Sequence, residues 1–182
     1  MPHLNTEELM ARLRAARKAG EGNRGNPSHL KRHRELVEAC PAFAPNLIEL
    51  ARLLLLTEES GVSAEQSFDE VQRLLEQAVQ ASDRGATALI ELAYFLDTIR
   101  DSPDKARLLL EEGAAKALKS LEDAWAGLIT LFCLEDQLPQ ALELSARAER
   151  VFPDSGRIMG AVADARQSAI AAGILPPDTS DS

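Results

Sequence analysis

The sequence predicts an all-α protein built from antiparallel helix pairs, with about nine helices in all. Three observations lead to this prediction. Apolar residues recur at spacings of three and four through most of the 182 residues, which is the period of a helix buried on one face. Leucine and alanine are abundant and only 4% of residues are aromatic, a composition that suits close helix packing. Runs that alternate apolar and polar residues are absent, so no sheet is expected.

The first 45 residues predict a helical extension that precedes the repeating part of the chain. Asn5 precedes a helical pattern and Glu8 follows three residues later, which is the arrangement of a capping box. This helix is expected to end near Gly20. Residues 20–27 contain three glycines, two asparagines and a proline, which predict a linker. A second helix is expected at about 28–39, and we place this extension at 1–45.

A pattern of large and small residues recurs along the rest of the chain. Large residues open one helix, small residues lie inside the next, and a proline ends it, as in Trp125-x2-Leu128-Ile129-x2-Phe132, Ala141-x3-Ser145-x2-Ala148 and Pro153. Small side chains on one helix let a second helix approach closely. The pattern opens at Leu47, Leu89, Trp125 and Met159, so successive spacings are 42, 36 and 34 residues. Such recurrence predicts stacked helical repeats.

The pattern predicts three helix pairs and a single capping helix. The pairs are expected at 46–56 with 67–81, at 86–99 with 103–118, and at 121–134 with 138–151, and the capping helix at 156–172. Residues 57–67 are polar and account for the longer first spacing as an enlarged turn. The capping helix is expected to bury Met159, Val162, Ala163 and Ile170. We therefore predict a repeat domain over 46–175 and a disordered tail over 176–182.

These residues and spacings resemble the tetratricopeptide repeat (TPR), a helix-turn-helix unit of about thirty-four residues. The third repeat departs from the family pattern where Ile129 replaces the usual glycine and Ser145 the usual aromatic residue. The resemblance implies an α-solenoid, a right-handed superhelix of antiparallel helix pairs. It also implies that the first helices of the pairs line a concave groove that binds another protein.

The resemblance assigns ten residues to the groove. They are Ile48, Arg52, Leu55, Ile90, Tyr94, Asp97, Asp123, Ala126, Thr130 and Cys133. TPR proteins that bind chaperone C-termini use lysine and asparagine in this groove to hold a terminal carboxylate. Here Ile48, Ile90 and Ala126 stand where a lysine would be needed, so we expect an apolar helical or extended segment as the ligand.

The charge of the chain is unevenly distributed. The net charge is −9, which argues against nucleic acid as the main partner. Residues 1–34 nevertheless contain eight Lys/Arg and three Asp/Glu, and the remainder has twelve and twenty-six. This basic arm is either a solvated helical face or a docking surface, and in the second case it would allow a homo-oligomer in which it packs on the acidic body of another copy.

His29 and His33 lie four residues apart in the second predicted helix, a spacing that can hold a metal ion. Lys31 and Arg32 lie between them and would repel a cation. Cys40 offers a third ligand, but a fourth is not evident. We therefore predict partly exposed histidines and no metal site.

The sequence contains no arrangement that predicts catalysis or cofactor binding. Gly20, Gly22 and Gly25 match the letters of a dinucleotide fingerprint, but the preceding strand that this fingerprint needs is absent. Adjacent acidic pairs point to different sides of a helix and cannot share one substrate. Trp125, at the opening of a helix, is expected in the core. We predict no enzyme activity and no cofactor.

The sequence also predicts the compartment. Cys40 and Cys133 lie in separate helices and indicate no disulfide framework. The first thirteen residues lack the apolar core of a signal peptide, and the most apolar run is too short to span a bilayer. A cytoplasmic protein is expected.

Three functions are compatible with these observations. The first is a non-catalytic interaction module, a scaffold or adaptor that binds a protein segment in its groove. The second is a dedicated chaperone or an immunity-like inhibitor that masks one client protein. The third is an enzyme or a nucleic-acid binder that uses the basic arm, which steep salt dependence of binding would reveal.

Overall fold

The computed structural model describes residues 4–20 and 27–176, and in these ranges it contains eight α-helices and no strand. The all-α prediction is therefore confirmed, and the eight described helices are close to the nine predicted. The helices are α1 (Thr6–Ala19), α2 (Pro27–Ala39), α3 (Ala44–Leu56), α4 (Ala64–Ala81), α5 (Ala86–Thr98), α6 (Pro103–Leu134), α7 (Leu138–Val151) and α8 (Gly156–Ala171). Most of the linker predicted at 20–27 (residues 21–26) and of the tail predicted at 176–182 (residues 177–182) lies outside the described residues.

The chain divides within α6 into two compact units, Met1–Ala114 and Ala115–Ser182. In the first unit each helix from α1 to α4 packs against the next one along the chain, and α3 also contacts α5. In the second unit α7 packs against α8. The extension predicted at 1–45 and the repeat domain predicted at 46–175 stay predictions.

The helix starts follow the local capping chemistry. The Glu8 amide donates to Oδ1 of Asn5 at 2.8 Å, and the Asn5 amide donates to the Glu8 carboxylate at 2.9 Å, which confirms the predicted capping box. A second capping box, formed by Ser63 and Gln66, begins α4 at residue 64. The enlarged turn predicted at 57–67 is therefore shorter than expected, because Ser63 satisfies the first amides of the helix three residues earlier.

The core of the first unit consists of the residues that define the repeat pattern. Leu47 and Leu89, which open the two patterns, are fully buried. The small residues of the pattern, Ala51, Ala78 and Ala93, are buried beside them and let neighbouring helices approach closely. The spacing of these residues in the sequence therefore identified this core.

The helices predicted at 103–118 and 121–134 are one continuous helix, α6. Several of the other short connections contain a residue in the left-handed conformation, such as Asp101 (φ 46°), Asp136 (φ 56°) or Gly61 (φ 84°). Residues 117–122 contain neither glycine nor proline, and the Ser120 hydroxyl donates within the helix to the Lys116 carbonyl at 3.0 Å. The prediction of a turn here was wrong. It was based on the repeat spacing, whereas the local sequence contains no glycine or proline that would favour a turn.

The core of the second unit is built from α6, α7 and α8. Ile129 of α6, Ala141 and Ala148 of α7, and Ile158 of α8 are fully buried together. Trp125 packs on this cluster but is only partly buried. Its ring meets Phe152 edge to face at 5.9 Å between centroids. The prediction that Trp125 contributes to the core is confirmed in this weaker form.

The burial predicted for the capping helix α8 is partly wrong. Val162 is buried and Ile170 half-buried, but Met159 is 58% exposed and Ala163 is also exposed. The buried row instead begins at Ile158 and continues through Ala161, Val162, Ala165 and Ala169. The first-helix pattern therefore restarts at residue 158, one position before the predicted Met159, because Ile158 has the register that faces α7.

Candidate protein-binding surface

Ion pairs join the first helices of successive pairs in the first unit. Arg17 of α1 pairs with Glu49 of α3, and Arg52 of α3 pairs with Glu91 of α5. The hydrogen bonds that the two guanidinium groups donate to these carboxylates raise the pKa of both Arg17 and Arg52 above their ordinary values. These contacts hold one face of α3 beside one face of α5. We call the side of α3 and α5 that carries Arg52, Leu55, Glu91 and Tyr94 the first-helix face.

The first-helix face exposes two large apolar side chains. Leu55 lies three residues after Arg52 and is 39% exposed, and Tyr94 lies three residues after Glu91 and is 57% exposed. Residues three apart lie on the same side of a helix, so each apolar side chain is next to the ion pair. Asp97 continues this row of α5 and is also exposed. The face therefore offers an apolar surface beside a salt bridge.

Two other predicted groove residues of the first unit are turned toward the interior. Ile48 is buried in the core of α3–α5. Ile90 is half-buried against α6, where its Cγ1 lies 3.0 Å from the position that a Cβ on Gly113 would take. The backbone of Gly113 thus makes room for Ile90. Neither isoleucine can offer a ligand a large surface.

The second unit contains the other four predicted residues. Asp123 pairs with Arg157 of α8 and lies 3.4 Å from the ammonium of Lys119. Burial opposes the charge, but Arg157 and Lys119 lower the pKa of Asp123 below its ordinary value. Ala126 is buried, and the Thr130 hydroxyl donates to the Ala126 carbonyl at 3.1 Å. Cys133 is half-buried, which raises the pKa of its thiol.

Two acidic residues, the partners of Arg17 and Arg52, were not predicted from the sequence. Glu49 and Glu91 both lie two residues after the leucine that opens their repeat, Leu47 and Leu89. This shared position was the signal that could have identified them. Because Glu91 already binds Arg52, the cation that was predicted to face a ligand is paired within the chain.

A hollow of about 640 Å³ opens between α2 and the α3–α4 connection. Its lining includes Arg34, which Glu59 binds at 2.6 Å and Glu70 at 3.1 Å. Arg34 and Arg17 both belong to the basic arm, and both are used in ion pairs within the chain. The positive charge available from the arm to an external partner is therefore smaller than the sequence count indicates.

The two histidines of α2 are buried, so the prediction of partly exposed histidines was wrong. His29 and His33 meet edge to face with centroids 5.0 Å apart. Asn46 of α3 donates from Nδ2 to the His33 carbonyl at 2.9 Å, and its Oδ1 lies 2.7 Å from Nδ1 of His33. The ring of His29 occupies the space beside Gly20, where a Cβ would overlap it. The histidines are buried because they join α2 to α3 and to the end of α1.

This arrangement predicts a pH-dependent stability. Burial lowers the pKa of His33, with a further lowering from His29 and Arg17, against the raising effects of Asn46 and Glu49. The unfolded chain therefore binds a proton at a higher pH than the folded chain does. The free energy of unfolding should be highest above about pH 6.5 and should fall as the pH decreases from there toward the folded-state pKa.

Urea unfolding between pH 5 and pH 8 checks this expectation. The control is His33→Gln, which keeps a donor for Asn46 but cannot titrate. The wild-type protein should lose more stability than the variant as the pH falls through this range. Parallel pH profiles for the two proteins would show that His33 does not titrate differently on folding.

Within residues 4–20 and 27–176, no cluster of three or more His, Cys, Asp or Glu side chains is arranged to hold a metal ion. In the same ranges no helix is both long and apolar enough to cross a membrane.

Comparison with known proteins gives two matches. Residues 1–83 match a family described as the Myxococcota tetratricopeptide repeat protein family. The chain is also similar to a Myxococcus xanthus protein described as an uncharacterized 18.1 kDa protein in the carS 3′ region. The two are 35% identical over 164 residues, which are 90% of this chain and 95% of the relative.

Proposed function

Because the chain belongs to the Myxococcota tetratricopeptide repeat protein family, we propose that it is a non-catalytic scaffold or adaptor. In this proposal the first-helix face binds an apolar helical or extended segment of another protein. The observation that carries the proposal is the exposure of Leu55 and Tyr94 on two helices that an ion pair holds together. Large apolar side chains on a rigid surface are typical anchors for a protein ligand.

The electrostatics of this face support an apolar ligand over a terminal carboxylate. Arg52 is bound by Glu91, and releasing it for a ligand would leave the Glu91 carboxylate without its partner. The exposed acidic residue on the same side, Asp97, would also repel a carboxylate. An uncharged segment with aliphatic or aromatic side chains can bind without breaking the Arg52–Glu91 pair and is not repelled by Asp97.

The test is the double variant Leu55→Ser with Tyr94→Ala. Loss of two anchor residues should weaken partner binding by about 1,000-fold, because anchors commonly contribute about 2 kcal/mol or more each. Affinity capture from the native host identifies the partner, and titration calorimetry with the purified partner measures the change. Both substituted side chains are solvent-exposed, so the helical circular dichroism signal and the melting temperature should be retained.

The matched control is Leu108→Ser, which changes a leucine that is also exposed but lies outside the first-helix face. It should bind the partner as the wild-type protein does. Unchanged binding by the Leu55→Ser, Tyr94→Ala variant would place the binding surface elsewhere on the molecule.

A dedicated chaperone or an immunity-like inhibitor is the second candidate. The excess of acidic residues after residue 34 supports it, because such a surface suits a basic client. Stoichiometric copurification of a single client would favour this function, whereas several partners at low occupancy would favour the adaptor. The proposal includes a cytoplasmic location, which the free thiols of Cys40 and Cys133 support.

A further inference from the structure

The second unit exposes an apolar stripe along α6. Ala117, Leu121, Ala124, Leu128 and Leu131 are all solvent-exposed, and they follow one another at spacings of four, three, four and three residues. This is the heptad spacing of the seam between two helices in a coiled coil. We call these five residues the α6 stripe. On the opposite side of the same helix, Ala126 and Ile129 are buried in the core of the unit.

The repeat pattern shows that one residue of the α6 stripe is exposed where its equivalents are buried. Leu128 occupies the same position in its repeat as Leu50 and Leu92 do in theirs. Leu50 and Leu92 are 1% and 7% exposed, whereas Leu128 is 40% exposed. In the first unit α4 folds back and packs along α5. Because α6 is continuous through residues 117–122, the equivalent turn does not form and Leu128 lacks that cover.

We propose that a second copy of this chain covers the α6 stripe, with the two α6 helices antiparallel about a two-fold axis between Leu121 and Ala124. In this register Leu121 meets Ala124 of the other copy, and Leu128 meets Ala117 of the other copy. Each layer then contains one large and one small side chain, so the layers have equal volume and the helices approach evenly. The part of the stripe from Ala117 to Leu128 is thus complementary to itself when reversed, and Leu131 lies beyond these paired layers.

A parallel pair would not fit as well. Identical residues would then face each other, which places alanine against alanine at positions 117 and 124 and leucine against leucine at 121 and 128. The leucine layers would set the distance between the two helices, and at that distance the alanine layers would leave gaps. Unfilled space in an apolar interface is destabilising. The order of residues in the α6 stripe therefore favours the antiparallel arrangement.

The charges near the α6 stripe do not oppose this contact. The positions that flank its centre are uncharged: Ser120 and Gly127 lie on one side, and Leu118 and Trp125 lie on the other. The ammonium of Lys119 lies 3.2 Å from the Glu122 carboxylate and 3.4 Å from that of Asp123, and Arg157 of α8 also pairs with Asp123. Because these two cations balance the two carboxylates within one copy, two copies can approach without placing an unpaired charge from this cluster in contact.

The first test is the oligomeric state of the full chain, measured by sedimentation equilibrium over a dilution series. We expect a dimer for the wild-type protein. The variant Leu121→Glu with Leu128→Glu should raise the dimer dissociation constant by about 100-fold or more, because it buries charges at the seam. Leu108→Glu is the control and should leave dimerisation unchanged. A monomeric wild-type protein, or a dimer that survives the double substitution, would overturn the proposal.

The second test determines the register by disulfide cross-linking. Ala117→Cys and Leu128→Cys are introduced separately into a chain whose native cysteines are replaced by Cys40→Ala and Cys133→Ala. Mixing the two variants should give a cross-linked heterodimer, whereas Ala117→Cys alone should not cross-link. Residues 117 and 128 are about 16 Å apart along one helix, too far for a disulfide. Cross-linking of Ala117→Cys to itself would indicate a parallel pair and overturn the proposal.

The dimer contact is separate from the first-helix face of the proposed function. Leu55→Ser with Tyr94→Ala changes residues of α3 and α5 only, so it should not alter the sedimentation result. The two proposals can therefore fail independently.

Discussion

Leu47→Ala should lower the free energy of unfolding by about 2–5 kcal/mol, the usual cost of removing a fully buried leucine side chain. Leu47 opens the first repeat and is buried among α3, α4 and α5. Its loss leaves a cavity that the surrounding leucines can fill only in part. In a domain of ordinary stability, this loss is a large fraction of the total free energy of unfolding. Urea unfolding followed by circular dichroism measures it.

The matched control is Leu56→Ala, because Leu56 lies in the same helix but is 65% exposed. It should change the free energy of unfolding by no more than about 0.5 kcal/mol. Equal effects at the two positions would mean that the core of the first unit is not centred on the leucines of the repeat pattern.

Asn46→Leu should lower the free energy of unfolding by about 1–3 kcal/mol, although it replaces a buried polar side chain by an apolar one. Asn46 is fully buried and binds both Nδ1 and the carbonyl of His33. Removing it leaves the imidazole of His33 buried without its partner. The cost of that unmet hydrogen bond should exceed the gain from the added apolar surface.

A double-mutant cycle separates this explanation from a simple packing defect. His33→Leu together with Asn46→Leu removes both side-chain partners, so neither polar side chain of the pair stays buried alone. The double variant should therefore be more stable than the sum of the two single changes predicts, by about 1 kcal/mol or more. If the two single changes in the free energy of unfolding add up to that of the double variant, the hydrogen bond between Asn46 and the His33 side chain does not contribute to stability. Thermal and urea unfolding of the four proteins provide the data.

Local sequence and helical period were sufficient to predict most of the fold. The capping box of Asn5, the repeat leucines and the small residues that face them all follow from the sequence alone. These features depend on residues that are close in the chain, or on a period that every buried helix must follow. For the same reason the sequence located the helices that form the candidate binding surface.

The sequence could not show which residues on those helices are available to a ligand. Ile48 and Ile90 share the spacing of exposed groove residues, yet neighbouring helices cover both of them. Arg52 is engaged because Glu91, thirty-nine residues away, lies opposite it. Availability depends on which side chains from distant parts of the chain come together, and one helical period does not carry that information.

The sequence by itself determined that this chain forms paired helices with leucine and alanine cores, because helical period and side-chain size are local properties. Only the tertiary structure decided that His29 and His33 are buried, that Arg52 is paired, and that Leu128 is left exposed. Each of these depends on what packs against a residue from outside its own helix. Burial free energy is a property of such contacts and therefore becomes visible only when the helices are assembled.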